Sequence, residues 1–369
     1  MAASDQPVDL AREFAAAADV LLSGMAAREM TRRASAEDRE ANQAWGAVVD
    51  AGWPAILLSE ELGGLGLGPA ELAPVCRAAG RYLLPGPLIE HAVIAAITAN
   101  HLPPTPARDL LVEAIAGDGV IATSERARST PLARASAGRL TGELGPLRFG
   151  AIASHLLLAV EWGDGSAPLV LLPTSRDGVI VRDCGGLDPD LRLADVELDN
   201  VRLEADDLCN PVEVAALHAD VERVLRLAVS CMLAGIAERA LELSVAYAKE
   251  RRQFDRPIGS FQAVQHLLAD MAASTHSVTS LCDAAAAAGS DTREDVGSVV
   301  KAHAARSARS VVEAAMQVHG GIAFTREHVL HRYYLRALAL EHVGGEPSAI
   351  ELELGRRLLR APTDPWARW

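Results

Sequence analysis

Aromatic side chains are scarce in this sequence. Five Trp, four Tyr and five Phe make up 4% of its 369 residues. That leaves no stacking platform for single-stranded nucleic acid. Lysine is rarer still, with Lys249 and Lys301 alone among 35 basic residues. No Lys/Arg-rich run occurs, and the formal net charge is −14. Together these exclude a general nucleic-acid or anionic-membrane surface. The five cysteines, Cys76, Cys184, Cys209, Cys231 and Cys282, form no C-x-x-C pair. The usual zinc spacings and a disulfide framework are therefore not expected, and a reducing, cytoplasmic compartment is. The most apolar stretches, 155–160 and 168–173, are far shorter than a membrane span. Residues 1–9 lack the basic and apolar regions of a signal peptide.

Several catalytic signatures are missing too. There is no G-x-S-x-G elbow and no Walker A loop. The glycine-rich turn at 63–68 does not satisfy G-x-G-x-x-G and has no βαβ context. His328 and His331 are three apart, but no carboxylate or third ligand sits at a diagnostic spacing, so no metal site is expected.

What is present is apolar and helical. Half of the residues are hydrophobic, and the length suffices for a large core and for two or three domains. Residues 8–118 carry helical periodicity, with Leu10, Phe14, Ala17 and Leu21 near helical spacing, a helix expected after Pro69 and a buried one over 92–100. From Gly119 the texture changes to short apolar runs, 120–122, 155–160, 169–172, 179–181 and 194–198, with turns at Asp164-Gly165, Asp177-Gly178 and Gly185-Gly186. No room remains for crossover helices, so a small, mostly antiparallel sheet is predicted. From Val212 long helical segments return, over 222–251, 260–288, 294–319, 327–341 and 348–359, with a frayed tail at 361–369. The expected fold class is α+β and mostly α. Its expected parts are an N-terminal helical domain over 1–118, a middle β domain over 119–211 and a C-terminal helical bundle over 212–369.

Two segments stand out. In the first, a long helix ends at Lys249-Glu250-Arg251-Arg252-Gln253-Phe254-Asp255-Arg256, and Pro257 and Gly259 make a turn. Ser260 is the expected N-cap of the next helix. An arginine here can fork onto a phosphate. On charge alone, a solvated helix end whose cations complement the dipole is the better account. In the second, a helix stops at Gly320-Gly321 within Gln317-Val318-His319-Gly320-Gly321-Ile322-Ala323-Phe324. Paired glycines let a backbone approach a flat or anionic ligand, and they also serve as ordinary helix C-caps.

Together, and in this order, the two segments resemble the acyl-CoA dehydrogenases. The family's R-x-x-F-G-x-x-I-x-x-F-Q run is matched at Arg251, Phe254, Ile258, Phe261 and Gln262, with Asp255 in place of the Gly. Its Q-x-x-G-G-x-G-F run is matched at Gln317, Gly320, Gly321 and Phe324, with Ala323 in place of the last Gly. The stretches 60–68, 82–90 and 188–203 are similar as well, so the resemblance covers nearly the whole chain. It implies the family's layout and an FAD bound between two subunits. In that arrangement Arg251, Gln253, Phe254, Gln317 and Gly321 form a half-site lent to the neighbour, Arg251 facing the pyrophosphate.

The chain departs from the family elsewhere. The flavin-ring strand, T-E-P-G-x-G-S-D in the family, falls on Ser124-Glu125-Arg126-Ala127-Arg128-Ser129-Thr130. The flavin-covering Trp of G-x-K-x-W-I-x-N is lost in the stretch 142–149, where Pro146 also interrupts a strand. The family's base, a Glu that takes the α-proton of an acyl-CoA thioester, falls on Gly344 or, in members that carry it on the long helix, on Leu225. Neither can accept a proton. Glu346 and Glu222 are weak substitutes that would serve only if the local backbone shifted.

The resemblance therefore implies an acyl-CoA dehydrogenase subunit that completes the FAD site of a catalytic second subunit. Such α2β2 members include enzymes acting on steroid side-chain thioesters. A homo-oligomer with a displaced Glu, and an FAD-free scaffold of the same fold, are the alternatives.

Overall fold

A computed structural model of the chain describes residues 10–29, 37–117, 119–123, 133–162, 168–209, 213–289 and 295–360. The turn expected at Asp164-Gly165, the tail 361–369 and the altered flavin-strand segment 124–130 lie outside the described residues.

The chain opens with helices α1 (Leu10–Glu29), α2 (Glu37–Asp50), α3 (Pro69–Arg81), α4 (Ala96–His101) and α5 (Pro106–Ala116). The helix after Pro69 starts where the sequence places it. Pro69 takes the first helical position, and Glu71 Oε2 accepts from the Gly68 amide at 3.0 Å. Thr105 caps α5 by accepting from the Arg108 amide, again with proline in the first turn. The buried stretch at 92–100 enters through a π-helical segment, Glu90–Ala95, before α4.

The strands are β1 (Ile121–Thr123), β2 (Ala133–Ser136), β3 (Arg139–Leu147), β4 (His155–Trp162), β5 (Leu169–Pro173), β6 (Val179–Asp183), β7 (Ala194–Arg202) and β8 (Leu208–Cys209). They pair in the order β6-β7-β3-β2-β4-β5-β8, with β1 added beside β4. The β1–β4 and β2–β4 pairs are parallel and the rest antiparallel, which agrees with the mostly antiparallel expectation. In β4 every residue from Leu156 to Val160 is buried. A strand with two covered faces needs an unbroken apolar run rather than alternation. Leu157 joins the helical core, while Leu156, Leu158 and Val160 join a second core within the sheet. Pro146 lies where the β3–β7 register slips, between Leu144 and Leu147, so no ladder hydrogen bond needs its missing amide.

The remaining helices are α6 (Val214–Glu250), α7 (Gln262–Ala287), α8 (Val296–His319), α9 (Leu330–Glu341) and α10 (Pro347–Arg360). The first four pack as a bundle, and α10 lies against α8. Helix α6 is 37 residues long, about 55 Å at the α-helical rise. Its apolar middle, from Leu227 to Ala237, is buried on every side, because α3 covers one flank and α7 and α8 the others. Between α6 and α7 sits a two-residue hairpin of β9 (Arg252–Gln253) and β10 (Arg256–Pro257). Ser260 does not cap α7. Its hydroxyl donates to Pro257 O at 2.7 Å within a 3-10 turn, Ile258–Ser260, and Phe261 takes the cap position. The fixed φ of Pro257 favours that extra turn.

One buried ionic cluster ties these parts together. Arg336 on α9 is 2% exposed. Its guanidinium pairs with Asp188 and donates to Asp190 at 3.1 Å and to the Leu84 carbonyl at 3.3 Å. Arg332 adds a 2.8 Å bond to Asp190, and Tyr333 donates its hydroxyl to Arg81 O at 2.7 Å. Helix α9 is thus fixed to the end of α3 and to the turn before β7. Arg336→Met strands Asp188, which is only 6% exposed at its side chain, without its charge partner. Urea unfolding should show a loss of about 3–5 kcal/mol. The double variant Arg336→Met/Asp188→Leu should recover much of that loss.

Candidate functional site

The two motif segments meet at one end of the bundle. Tyr247, on the last turn of α6, stacks on His319, on the last turn of α8, with centroids 4.5 Å apart and planes 24° apart. That contact brings the hairpin after Arg251 beside the glycine turn after Gln317.

Arg251 ends α6. Its amide donates to Tyr247 O at 2.8 Å and its carbonyl accepts from Ile258 at 2.8 Å, so its backbone is held while its side chain is exposed. Phe254 and Asp255 fill the two central positions of the β9–β10 turn, with φ of 52° and 64°. Two consecutive left-handed residues are what a two-residue hairpin requires. Arg252 secures the turn by donating to Asp255 O at 2.6 Å. The geometry explains the glycine usual after this phenylalanine, since Gly adopts the conformation without strain and Asp is among the few tolerated replacements. Phe254 has no such tolerance, yet it is 87% exposed. A bulky residue held in a strained conformation and pushed into solvent marks a binding surface better than a core. Phe261 supports it from below, edge-on at 6.2 Å, with Arg256 over the Phe261 ring at 3.9 Å. Gln253 lies exposed on β9, and its side chain donates to Arg252 O.

On the other segment, Gln317 is exposed on α8. Gly320 ends that helix with φ 65°. A short 3-10 turn, Gly320–Phe324, follows, with Phe324 74% exposed. A Cβ built on Gly321 would meet nothing within 4 Å, so the fold itself does not demand glycine there. Among the described residues, neither Arg251 nor Gln317 makes a side-chain hydrogen bond or ion pair. Five side chains or backbone positions thus sit at one exposed corner: a cation, two amides, an aromatic ring and an open glycine. Such a corner can take a phosphate together with a flat ring system.

Behind it, His319 donates through Nδ1 to Ala315 O at 2.8 Å and packs 4.7 Å from His328. His328 Nδ1 accepts from the Leu330 amide, and His331 bonds to His328 O. Both imidazoles of the 328/331 pair are spent on the start of α9. Burial lowers the pKa of His319. Burial, then His319 and His331, lower that of His328.

The opposite end of α6 holds the positions assigned to a base. Leu225 is fully buried. A Cβ built on Gly344 would lie 3.7 Å from Leu225 Cγ and 3.4 Å from Arg226 Cγ, so the two alternative positions converge on one spot. Glu222 is ion-paired to Arg226, and Glu346 is hydrogen-bonded to His342 Nδ1. Both carboxylates are about half exposed and neither is unpaired. Arg226 also donates to Gly344 O at 3.0 Å and Ser298 Oγ at 2.7 Å. Lys301, fully buried, donates to Glu341 O at 2.7 Å. Sequence reading passed over Arg226, Ser298 and Lys301. A legible signal existed in Lys301, one of two lysines, set in the apolar run Val299-Val300-Lys301-Ala302.

Asp255→Gly should raise stability by about 0.5–1 kcal/mol in urea unfolding, because it removes left-handed strain. The lowered histidine pKa values have a defined sign. Their stabilisation is complete above pH 6.5, the ordinary value, and is lost as pH falls through the folded-state values. The melting temperature should therefore drop between pH 7.5 and 5, and drop less in His319→Gln/His328→Gln.

The chain has clear relatives. The sequence profile of the acyl-CoA dehydrogenase C-terminal domain matches residues 222–359. Acyl-CoA dehydrogenase FadE27 of Mycobacterium tuberculosis is 30% identical over 353 residues, covering 91% of this chain and 92% of FadE27. The fold is similar to a chain of the ChsE4-ChsE5 complex from Mycobacterium tuberculosis, with TM-score 0.83, 25% identity and 97% and 99% of the two chains covered. It is also similar to a chain of a variant of the Tcur3481-Tcur3483 steroid ACAD, with TM-score 0.80, 26% identity and 94% and 96% covered. By fold and by end-to-end similarity, this protein belongs to the acyl-CoA dehydrogenase family.

Proposed function

We propose that this chain is the non-catalytic subunit of a two-component, FAD-dependent acyl-CoA dehydrogenase. It lends Arg251, Gln253, Phe254, Gln317 and Gly321 to the flavin site of a catalytic second subunit. One observation carries the reading. Arg251 and Gln317 are exposed and, among the described residues, their side chains make no hydrogen bond or ion pair, while the base positions hold Gly344 and buried Leu225.

Bound FAD supplies the hydride acceptor for α,β-dehydrogenation of an acyl-CoA thioester. The residues of this chain would bind and orient it. Arg251 presents a planar guanidinium to the pyrophosphate, which needs an unpaired donor fork. Gln253 and Gln317 offer amides for the polar edge of the cofactor, and Phe254 covers an apolar face. Gly321 leaves space for close backbone approach. The proton step belongs to the partner, since Gly344 and Leu225 have no lone pair to offer. The two relatives named as pairs, ChsE4-ChsE5 and Tcur3481-Tcur3483, support assembly with a second subunit, and the steroid ACAD makes a steroid side-chain thioester the first substrate to try. Free thiols at all five cysteines suit the cytoplasm. Among the described residues, no helix is long and apolar enough to cross a membrane.

The test is purification of the chain alone and with a homologous dehydrogenase that retains the flavin-strand and Glu motifs, scoring bound flavin by visible absorbance. Flavin should appear in the complex and not in the lone chain. Stoichiometric FAD and turnover by the lone chain would instead establish a homo-oligomeric enzyme, and a stable complex without flavin would establish a scaffold. Within the complex, Arg251→Ala should lower flavin occupancy at least tenfold. Gly321→Val should lower it too while leaving the melting temperature of the lone chain unchanged, because nothing in the fold opposes the side chain.

A further inference from the structure

The two exposed segments of the corner meet through one buried imidazole. We propose that His319 is a positioning residue whose neutral ring keeps the Arg251 hairpin and the Gln317–Gly321 turn together, so that a single proton on it opens the corner and releases the flavin. The role of the corner rests on the reading given under Proposed function; the coupling of its two halves rests on contacts within this chain.

His319 is placed to act as the bridge. One face of its ring stacks on Tyr247 of α6, and His328 packs against it at 4.7 Å. In the sequence it lies two residues from both Gln317 and Gly321. Its hydrogen-bonding capacity is fixed as well. Nδ1 donates to Ala315 O at 2.8 Å, while Nε2 is buried and has no partner among the described residues. The residue as a whole is 4% exposed. A bare lone pair in such a place is tolerated, but a proton on Nε2 would bury a charge and a donor with no acceptor. The neighbours offer no relief. His328 Nδ1 accepts from the Leu330 amide at 3.2 Å, so in its neutral form its own proton sits on Nε2 and it has no lone pair to lend. His331 Nδ1 is spent on His328 O.

Tyr247 from α6 and His328, with His331 behind it at the start of α9, are the titratable groups that face the ring. The charged residues next along those segments, Lys249, Glu250, Arg326 and Glu327, are exposed. The face of Tyr247 would attract a cation, yet burial prevails, and the pKa of His319 is lowered. The charged ring is therefore relieved by turning out to water, which breaks the stack on Tyr247 and frees the hairpin from the glycine turn. The sign follows from linkage. The closed corner is fully favoured above pH 6.5, the ordinary value, and is lost as pH falls through the lowered one. One proton taken up on opening limits the effect to about thirtyfold by pH 5.0.

The test uses the full-length chain and three amides that close the two segments, those of Arg251, Ile258 and Gly320. Their protection against hydrogen exchange, corrected for the intrinsic pH dependence of exchange, should fall at least fivefold between pH 7.5 and 5.0. In His319→Phe, which keeps a flat ring on Tyr247 and cannot take a proton, the fall should be less than about twofold. An equal fall in both proteins, or none in the unmodified chain, overturns the proposal. An NMR titration of the unmodified chain gives a readout that needs no variant. Protonation of His319 and loss of its proton–proton contacts to Tyr247 should coincide, and a protonated ring still stacked on Tyr247 overturns the proposal. In the complex with a flavin-binding partner, flavin affinity should fall at least fivefold over the same range, and affinity that ignores pH overturns the proposal. Amides that respond as expected in a chain whose complex binds no flavin at any pH overturn the subunit reading alone.

Discussion

The bidentate grip of Arg336 on Asp188 is the constraint on which the arrangement of this molecule depends. Helix α9 buries Leu330, Tyr333, Ala337 and Leu340, and its Ala339 packs with Leu193 against the small cluster of Val120, Phe149 and Leu191. To this apolar contact is added a charge pair removed from water, with Asp190, Arg332 and the Leu84 carbonyl completing its valences. Removal of two charges from water is costly unless every remaining donor and acceptor is satisfied. Because the partners come from the end of α3, the sheet and the bundle, the cluster admits only one relative placement of the three. Burial of apolar surface drives collapse without specifying that placement.

Helix α6 then acts as the ruler. Its buried middle is held between α3, α7 and α8, and its two ends carry opposite chemistry. At the C-terminal end, Tyr247 on His319 draws the hairpin and the glycine turn into one exposed corner with unspent donors. Near the N-terminal end, Arg226 and Lys301 donate to backbone carbonyls and a serine hydroxyl, and Arg226 is also paired with Glu222. One end is open and strained, the other closed and satisfied. Strain persists at the hairpin because the flanking ladder and the Arg252 bond over-determine it, and Phe254 is left facing water as a result.

Much of this was legible beforehand, for local reasons. The helix start at Pro69 follows from fixed φ and the orphan amides of a first turn. Strand β4 was visible as an apolar run between turn residues. The pairing of Arg251 with Phe254, and of Gln317 with Gly321, was visible because both motifs lie within a few residues of a helix end. Ser260 misled, because the sequence could not say that Pro257 would add a 3-10 turn and pass the cap to Phe261.

The sequence by itself determined the order of helices, strands and helices, the family, and the absence of a carboxylate at 344 and 225. Those are statements about which side chains exist and about contacts a few residues apart. Only the tertiary structure decided that 344 and 225 share one location, that Arg226 holds the Gly344 carbonyl beside it, and that Lys301 is buried against the same turn. Leu225 and Gly344 are more than a hundred positions apart, and no local propensity reports a contact at that separation. It is set by how α6, α8 and α9 pack, and packing is a property of the whole core rather than of any segment within it.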